Sequence, residues 1–85
     1  MKRLSELKSG QAGVVHLIEF SEDQDVNDIS IRLRQLGILE NEMIKVVRKS
    51  PLSDSTFLIE ARGAQFALTK NEAKIVLVKL EKSHE

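Results

Sequence analysis

The spacing of apolar residues changes period several times along the chain, and each change marks an element. Leu4-Ser5-Glu6-Leu7 is apolar at both ends and polar between, which predicts one helical turn or a docked lead-in. Ser9-Gly10-Gln11-Ala12-Gly13 has turn composition. Val14-Val15-His16-Leu17-Ile18 is β-branched and apolar and predicts a strand. Residues 21–28 read as a polar, acidic loop, after which Asn27 or Asp28 can cap a helix over about 28–36. Ile29, Leu33 and Leu36 lie at i, i+4 and i+7, one helical face, and Gly37 supplies the stop.

Beyond the helix the period becomes that of strands. Residues 42–49, with Ile44, Val46 and Val47, predict one strand, and residues 57–62 another, with Phe57, Ile59 and Ala61 on one side. Ser50 to Ser55 is a loop containing Pro51, Gly63-Ala64 a tight turn, and residues 65–68 the returning strand. Thr69-Lys70-Asn71-Glu72 fits a capping box, so a short helical turn should precede a last strand over 74–80 and a polar tail over 81–85. Five short strands and one longer helix predict a mainly β fold. The expected form is a small SH3-like barrel occupying residues 1–85 as one domain, with its core over about 4–80.

Composition narrows the function. The 85 residues are 41% hydrophobic and 31% charged, an ordinary globular balance. Thirteen basic residues offset thirteen acidic ones, so nothing draws the chain generally toward nucleic acid or anionic lipid. With no Trp, no Tyr and three Phe, base-stacking platforms are missing as well. The absence of Cys removes thiolate chemistry and suits a reducing compartment. The longest apolar stretch, Ile75-Val76-Leu77-Val78, is far too short to span a bilayer, and a cytoplasmic location is expected. No phosphate loop, catalytic triad or paired carboxylates stand out, and so small a core leaves little room for a water-excluding pocket. An enzyme is not expected, nor is a cofactor.

Several phrases in order resemble the ferrous iron transport protein A family, the FeoA-type domains. They are Leu4-Ser5-Glu6-Leu7-Lys8-Ser9-Gly10, Arg32-Leu33-Arg34-Gln35-Leu36-Gly37-Ile38, Val46-Val47-Arg48-Lys49-Ser50-Pro51-Leu52-Ser53-Asp54, and a closing phrase from Leu68 to Val78. The chain departs from the family pattern at Asn41, where Gly is usual, and at Ser53 and Ser55, which replace Gly and Pro. Asn tolerates the left-handed conformation better than most residues, so the turn after Ile38 can keep its shape. The resemblance implies an SH3-like barrel with added helices and a cytosolic accessory role beside the GTPase-bearing membrane transporter for ferrous iron. Contact with the membrane would be indirect, through that partner. Similar domains form the C-terminal module of iron-dependent repressors, which makes a divalent-metal-sensing module the alternative.

Candidate contact residues follow from faces and loops. Ile31 lies about 200° around the helix from Ile29, beside Arg34 and Gln35. Two readings stand: Ile31 packs beneath the loop over 21–28, or Ile31, Arg34 and Gln35 form a patch for docking a partner. Pro51 and Leu52 either insert into a partner or cover an end of the barrel. Glu19, Glu22, Asp23, Asp25 and Asp28 offer oxygens to a hard or transition-metal cation but lack the spacing of a calcium loop. His16 stands alone in a strand and His84 in the tail, so of the weak metal candidates we retain Asp23, Asp25 and His16. An exposed edge at residues 14–18 or 74–80 could support weak homo-oligomerisation.

Overall fold

A computed structural model describes residues 1–20, 23–50 and 56–80. Six strands form one antiparallel sheet: β1 (Lys2–Arg3), β2 (Ala12–Ile18), β3 (Met43–Lys49), β4 (Thr56–Ala61), β5 (Ala64–Thr69) and β6 (Val76–Leu80). Their order across the sheet is β1-β6-β2-β3-β4-β5. A 3-10 turn over Leu4–Glu6 follows β1, helix α1 (Gln24–Gln35) joins β2 to β3, and the short helix α2 (Lys70–Lys74) joins β5 to β6. The outer strands β1 and β5 are not paired with each other. The 3-10 turn packs there against α2 and β6.

Burial follows the strand period. Phe57, Ile59 and Ala61 of β4 are buried, while Leu58 and Glu60 between them are half-buried. In β2 the buried residues Val15 and Ile18 are three apart, because the register against β6 slips between Val15 and Leu17. His16 is the extra residue of that bulge, which turns His16 and Leu17 outward. Leu4, Leu7, Leu33, Ile38, Ile44, Val46, Phe57, Ile59, Val76 and Val78 complete a core drawn from both ends of the chain.

The structure moves several sequence boundaries. Helix α1 begins four residues earlier than expected, since Asp23, not Asn27 or Asp28, caps it: Asp23 Oδ1 accepts the Asp25 N–H at 2.9 Å. The early start adds Val26 to the stripe of Ile29, Leu33 and Leu36 that packs on the core. Residues 24–28, read as loop, are therefore helix. The other end is as expected. Gly37 has φ +95°, and the N–H groups of Gly37 and Ile38 bond the carbonyls of Arg34 and Leu33 at 3.0 Å, the paired bonds that close a helix on a left-handed residue. Asn41 also takes a positive φ of 71°.

Gly13, read as part of a turn, lies inside β2. A Cβ there would stand 2.4 Å from the Lys79 carbonyl oxygen and 2.6 Å from Val78 Cγ1, so β2 and β6 approach more closely than any other residue would permit. The β4–β5 turn sits one residue earlier than expected, on Arg62 and Gly63 with φ of 55° and 80°. The capping box is present: Thr69 N–H donates to Glu72 Oε1 at 2.9 Å, and Glu72 N–H donates to Thr69 Oγ1 at 3.2 Å. That box extends α2 to Lys74, and the last strand starts at Val76 instead of Lys74. Neither edge expected to self-associate is an edge: β6 lies between β1 and β2, and β2 between β6 and β3.

Candidate functional site

Helix α1 lays its apolar stripe on the sheet and turns the opposite face outward. Ile31 is on that outer face and is 51% exposed, with Gln35 exposed one turn later. Residues 24–28 of the segment read as a covering loop belong to the same helix as Ile31. Three residues on, Arg34 meets a residue that sequence reasoning missed. Phe20, just after β2, is 67% exposed, and its ring lies 5.4 Å from the Arg34 guanidinium. A guanidinium at that distance is held by the negative face of the ring.

Arg34 is committed elsewhere as well. Its Nη1 donates to Glu40 Oε1 at 2.9 Å and its Nη2 to Glu40 Oε2 at 2.8 Å, a two-pronged pair. Glu40 sits after α1, with the backbone of Ile18 near enough to favour its charged carboxylate. Hydrogen bonding from Arg34 holds the Glu40 carboxyl below the usual carboxylate range, assisted by the backbone donors and opposed by burial. The Arg34 guanidinium is raised in turn, chiefly by the same bonds. The pair thus ties α1 to the segment that follows it and fixes the guanidinium that faces the Phe20 ring. Arg34 is fixed by Glu40 with the Phe20 ring against it, and Ile31 lies one helical turn earlier on α1.

On the far side of Phe20 an open cleft of about 540 Å3 lies between α1, α2 and the end of β2. Val26, Ile29 and Ile75 give it an apolar floor, and Asp25 and Lys74 stand at its rim. Arg3 closes one end: Nη1 donates to Glu19 Oε1 at 2.8 Å and to the Lys74 carbonyl at 2.7 Å. The cleft is too open to exclude water, and among the described residues no nucleophile with an adjacent base faces it.

The acidic residues of this region are dispersed over separate tasks. Glu19 pairs with Arg3, Asp23 caps α1, and Asp28 accepts from Gln24 Nε2 at 2.9 Å. Asp25 lies at the cleft rim. His16 lies outward on β2, in a surface hollow with Met1, Lys2 and Lys79, where neighbouring ammonium groups oppose a bound cation. Among the described residues no three His, Cys, Asp or Glu side chains gather as metal ligands. Arg32 is likewise paired with Glu72, as Arg34 is with Glu40. Pro51, Leu52, Glu22 and His84 lie outside the described residues.

The FeoA domain model matches residues 2–80. The chain belongs to the FeoA domain family. A zinc-complexed FeoA from Stenotrophomonas maltophilia, a procaryotic SH3 domain protein and candidate ferrous iron transport activating factor, is 33% identical. It superposes with a TM-score of 0.79, covering 93% of this chain and 91% of that one. The FeoA protein of Chlorobium tepidum is 27% identical with a TM-score of 0.80, over 99% of this chain and 74% of that one. A manganese-dependent transcriptional repressor shares the fold at 18% identity and a TM-score of 0.79, with 94% of this chain matching 41% of the repressor. No curated protein matches the sequence significantly. The sheet is therefore an SH3-like FeoA barrel, and the FeoA family connects the chain with ferrous iron transport. Among the described residues no helix is long and apolar enough to cross a membrane.

Proposed function

We propose that this FeoA domain is a cytosolic accessory protein of ferrous iron transport that docks on the GTPase-bearing membrane transporter through the outer face of α1. The observations that support this reading are two exposed apolar side chains, Phe20 against a guanidinium already fixed by Glu40 and Ile31 one helical turn before that arginine. An exposed aromatic and an aliphatic side chain beside a pre-positioned Arg have the composition of an interface hot spot, and fixing the Arg beforehand lowers the ordering cost of binding. Gln35 extends the face, and Pro51 with Leu52 supplies a second point of contact. Docking acts by contact and not by bond chemistry. Whatever conformer of the transporter fits the ridge better gains population in proportion to the difference in affinity.

The test is titration of the full chain against the purified transporter in lipid nanodiscs. Ile31→Asp and Phe20→Ala should each weaken binding by roughly thirtyfold, the scale of a hot-spot loss, with thermal stability unchanged. Unaltered affinity in both variants rejects this surface. A steep fall in melting temperature for Ile31→Asp would mean that the residue is structural.

A further inference from the structure

Strand β5 is an outer strand of the sheet, and its composition is unusual for that place. Exposed edges of soluble proteins normally carry a charge, a proline or a bulge. Ala64-Gln65-Phe66-Ala67-Leu68-Thr69 has no charge and no proline, and its register with β4 runs unbroken from Ala61↔Ala64 to Thr56↔Thr69. Positive φ at both Arg62 and Gly63 makes the connection a two-residue hairpin turn, so Ala61 and Ala64 form its hydrogen-bonded closing pair. Alternation then turns the backbone groups of Ala64, Phe66 and Leu68 toward β4, and those of Gln65, Ala67 and Thr69 away from it. Thr69 N–H is taken by Glu72, as this assignment requires. The outward N–H and C=O groups of Gln65 and Ala67 have no partner among the described residues.

We propose that β5 pairs antiparallel with β5 of a second copy of this chain, Gln65 opposite Ala67 of the other copy, about a two-fold axis at Phe66. This register satisfies all four outward groups on both copies. An axis at Ala67 would call on the Thr69 N–H already held by Glu72, and an axis at Gln65 would call on Gly63, which belongs to the turn. The register also keeps the core faces of the two sheets on one side. It sets the half-buried Phe66 against its own copy at a non-hydrogen-bonded site, where cross-strand side chains come closest and aromatic pairs stabilise. At the strand ends Arg62 of one copy approaches Lys70 of the other. Added salt therefore tightens the dimer, the reverse of an association driven by charge attraction.

Sedimentation equilibrium of the full chain, from micromolar to millimolar and at low and high salt, should give a monomer–dimer equilibrium that tightens with salt. Hydrogen exchange should slow at the Gln65 and Ala67 amides as the protein is concentrated. Ala67→Pro removes an outward N–H and leaves the bonds to β4 in place, so dimerisation should weaken by about tenfold or more. Gln65→Lys charges the edge and should act in the same direction. If Ala67→Pro fails to fold by circular dichroism, Gln65→Lys and wild-type exchange decide. Ile31→Asp should leave the dimer unchanged, which separates this result from that for transporter docking. A monomer at every concentration, a dimer indifferent to both edge substitutions, or exchange at Gln65 and Ala67 that does not depend on concentration overturns the proposal. So does protection that arises only when a different strand-forming peptide is added.

Discussion

Replacing Gly13 by Ala tests the tightest contact in the sheet. The added methyl would sit 2.4 Å from the Lys79 carbonyl oxygen and 2.6 Å from Val78 Cγ1. One of these is backbone of β6 and the other belongs to a fully buried side chain, so neither can swing aside. Relief requires β2 and β6 to separate by the better part of an ångström at the centre of the sheet, the kind of overpacking that costs about 1–3 kcal/mol and sometimes more. Ala also stiffens the unfolded chain, returning about 0.4–1 kcal/mol. Because both contacts are severe, the cost lies at the upper end of that range, and a net loss of about 2 kcal/mol is expected. For a domain of this size that is a fall in melting temperature of roughly 8–16 °C. The control is Gly10→Ala, where φ is +89° but nothing lies within 4 Å of the new methyl, so only backbone strain is introduced. Urea denaturation followed by circular dichroism gives both free energies. If Gly13→Ala is no more destabilising than Gly10→Ala, the steric argument is wrong.

Three further outcomes are expected. Because Glu40 is held below its ordinary value in the fold, the stability it contributes is present above the unfolded-state value and is lost as pH falls through the depressed one. The pair is about a third exposed, so that contribution is at most about 1 kcal/mol. Denaturation midpoints of wild type and Glu40→Gln should thus differ at neutral pH and converge below about pH 4; a gap that widens in acid refutes the assignment. Thr69→Ala removes the cap of α2 and should cost about 1 kcal/mol in chemical denaturation. Asp23→Ala should cost a similar amount, equally with and without manganous ion, since its carboxylate serves the helix; a loss seen only with metal present would restore the metal reading.

The parts of this fold that could be read in the sequence are those where local chemistry and burial agree. Alternation at Phe57, Ile59 and Ala61, the stop at Gly37 and the capping box at Thr69 each state their structure within a few residues. The errors arose where the deciding contact is remote. Asp23, Asn27 and Asp28 are chemically equivalent as caps, and the choice falls to Asp23 because the earlier start lets Val26 reach the core. Gly13 has the composition of a turn, and only the approach of Lys79, far along the chain, makes it a strand residue. The strand Lys2–Arg3 has no apolar signature and exists through pairing with Leu77 and Val78. At the candidate site, Ile31 was legible from helical periodicity. Phe20 was not, because its stacking with Arg34 spans a bulged strand end and most of a helix. The one available signal was an aromatic residue standing just beyond a predicted strand, beside polar sequence.

The pairing of the first strand with the last has an architectural result. Lys2 lies opposite Val78 and Arg3 opposite Leu77, so entry to and exit from the barrel stand side by side. A barrel joined to the world through one adjacent pair of ends can be strung into a longer polypeptide, as in the repressor whose chain it only partly matches, at little geometric cost. Evolution can then transplant the unit whole, without breaking the sheet that the two ends share.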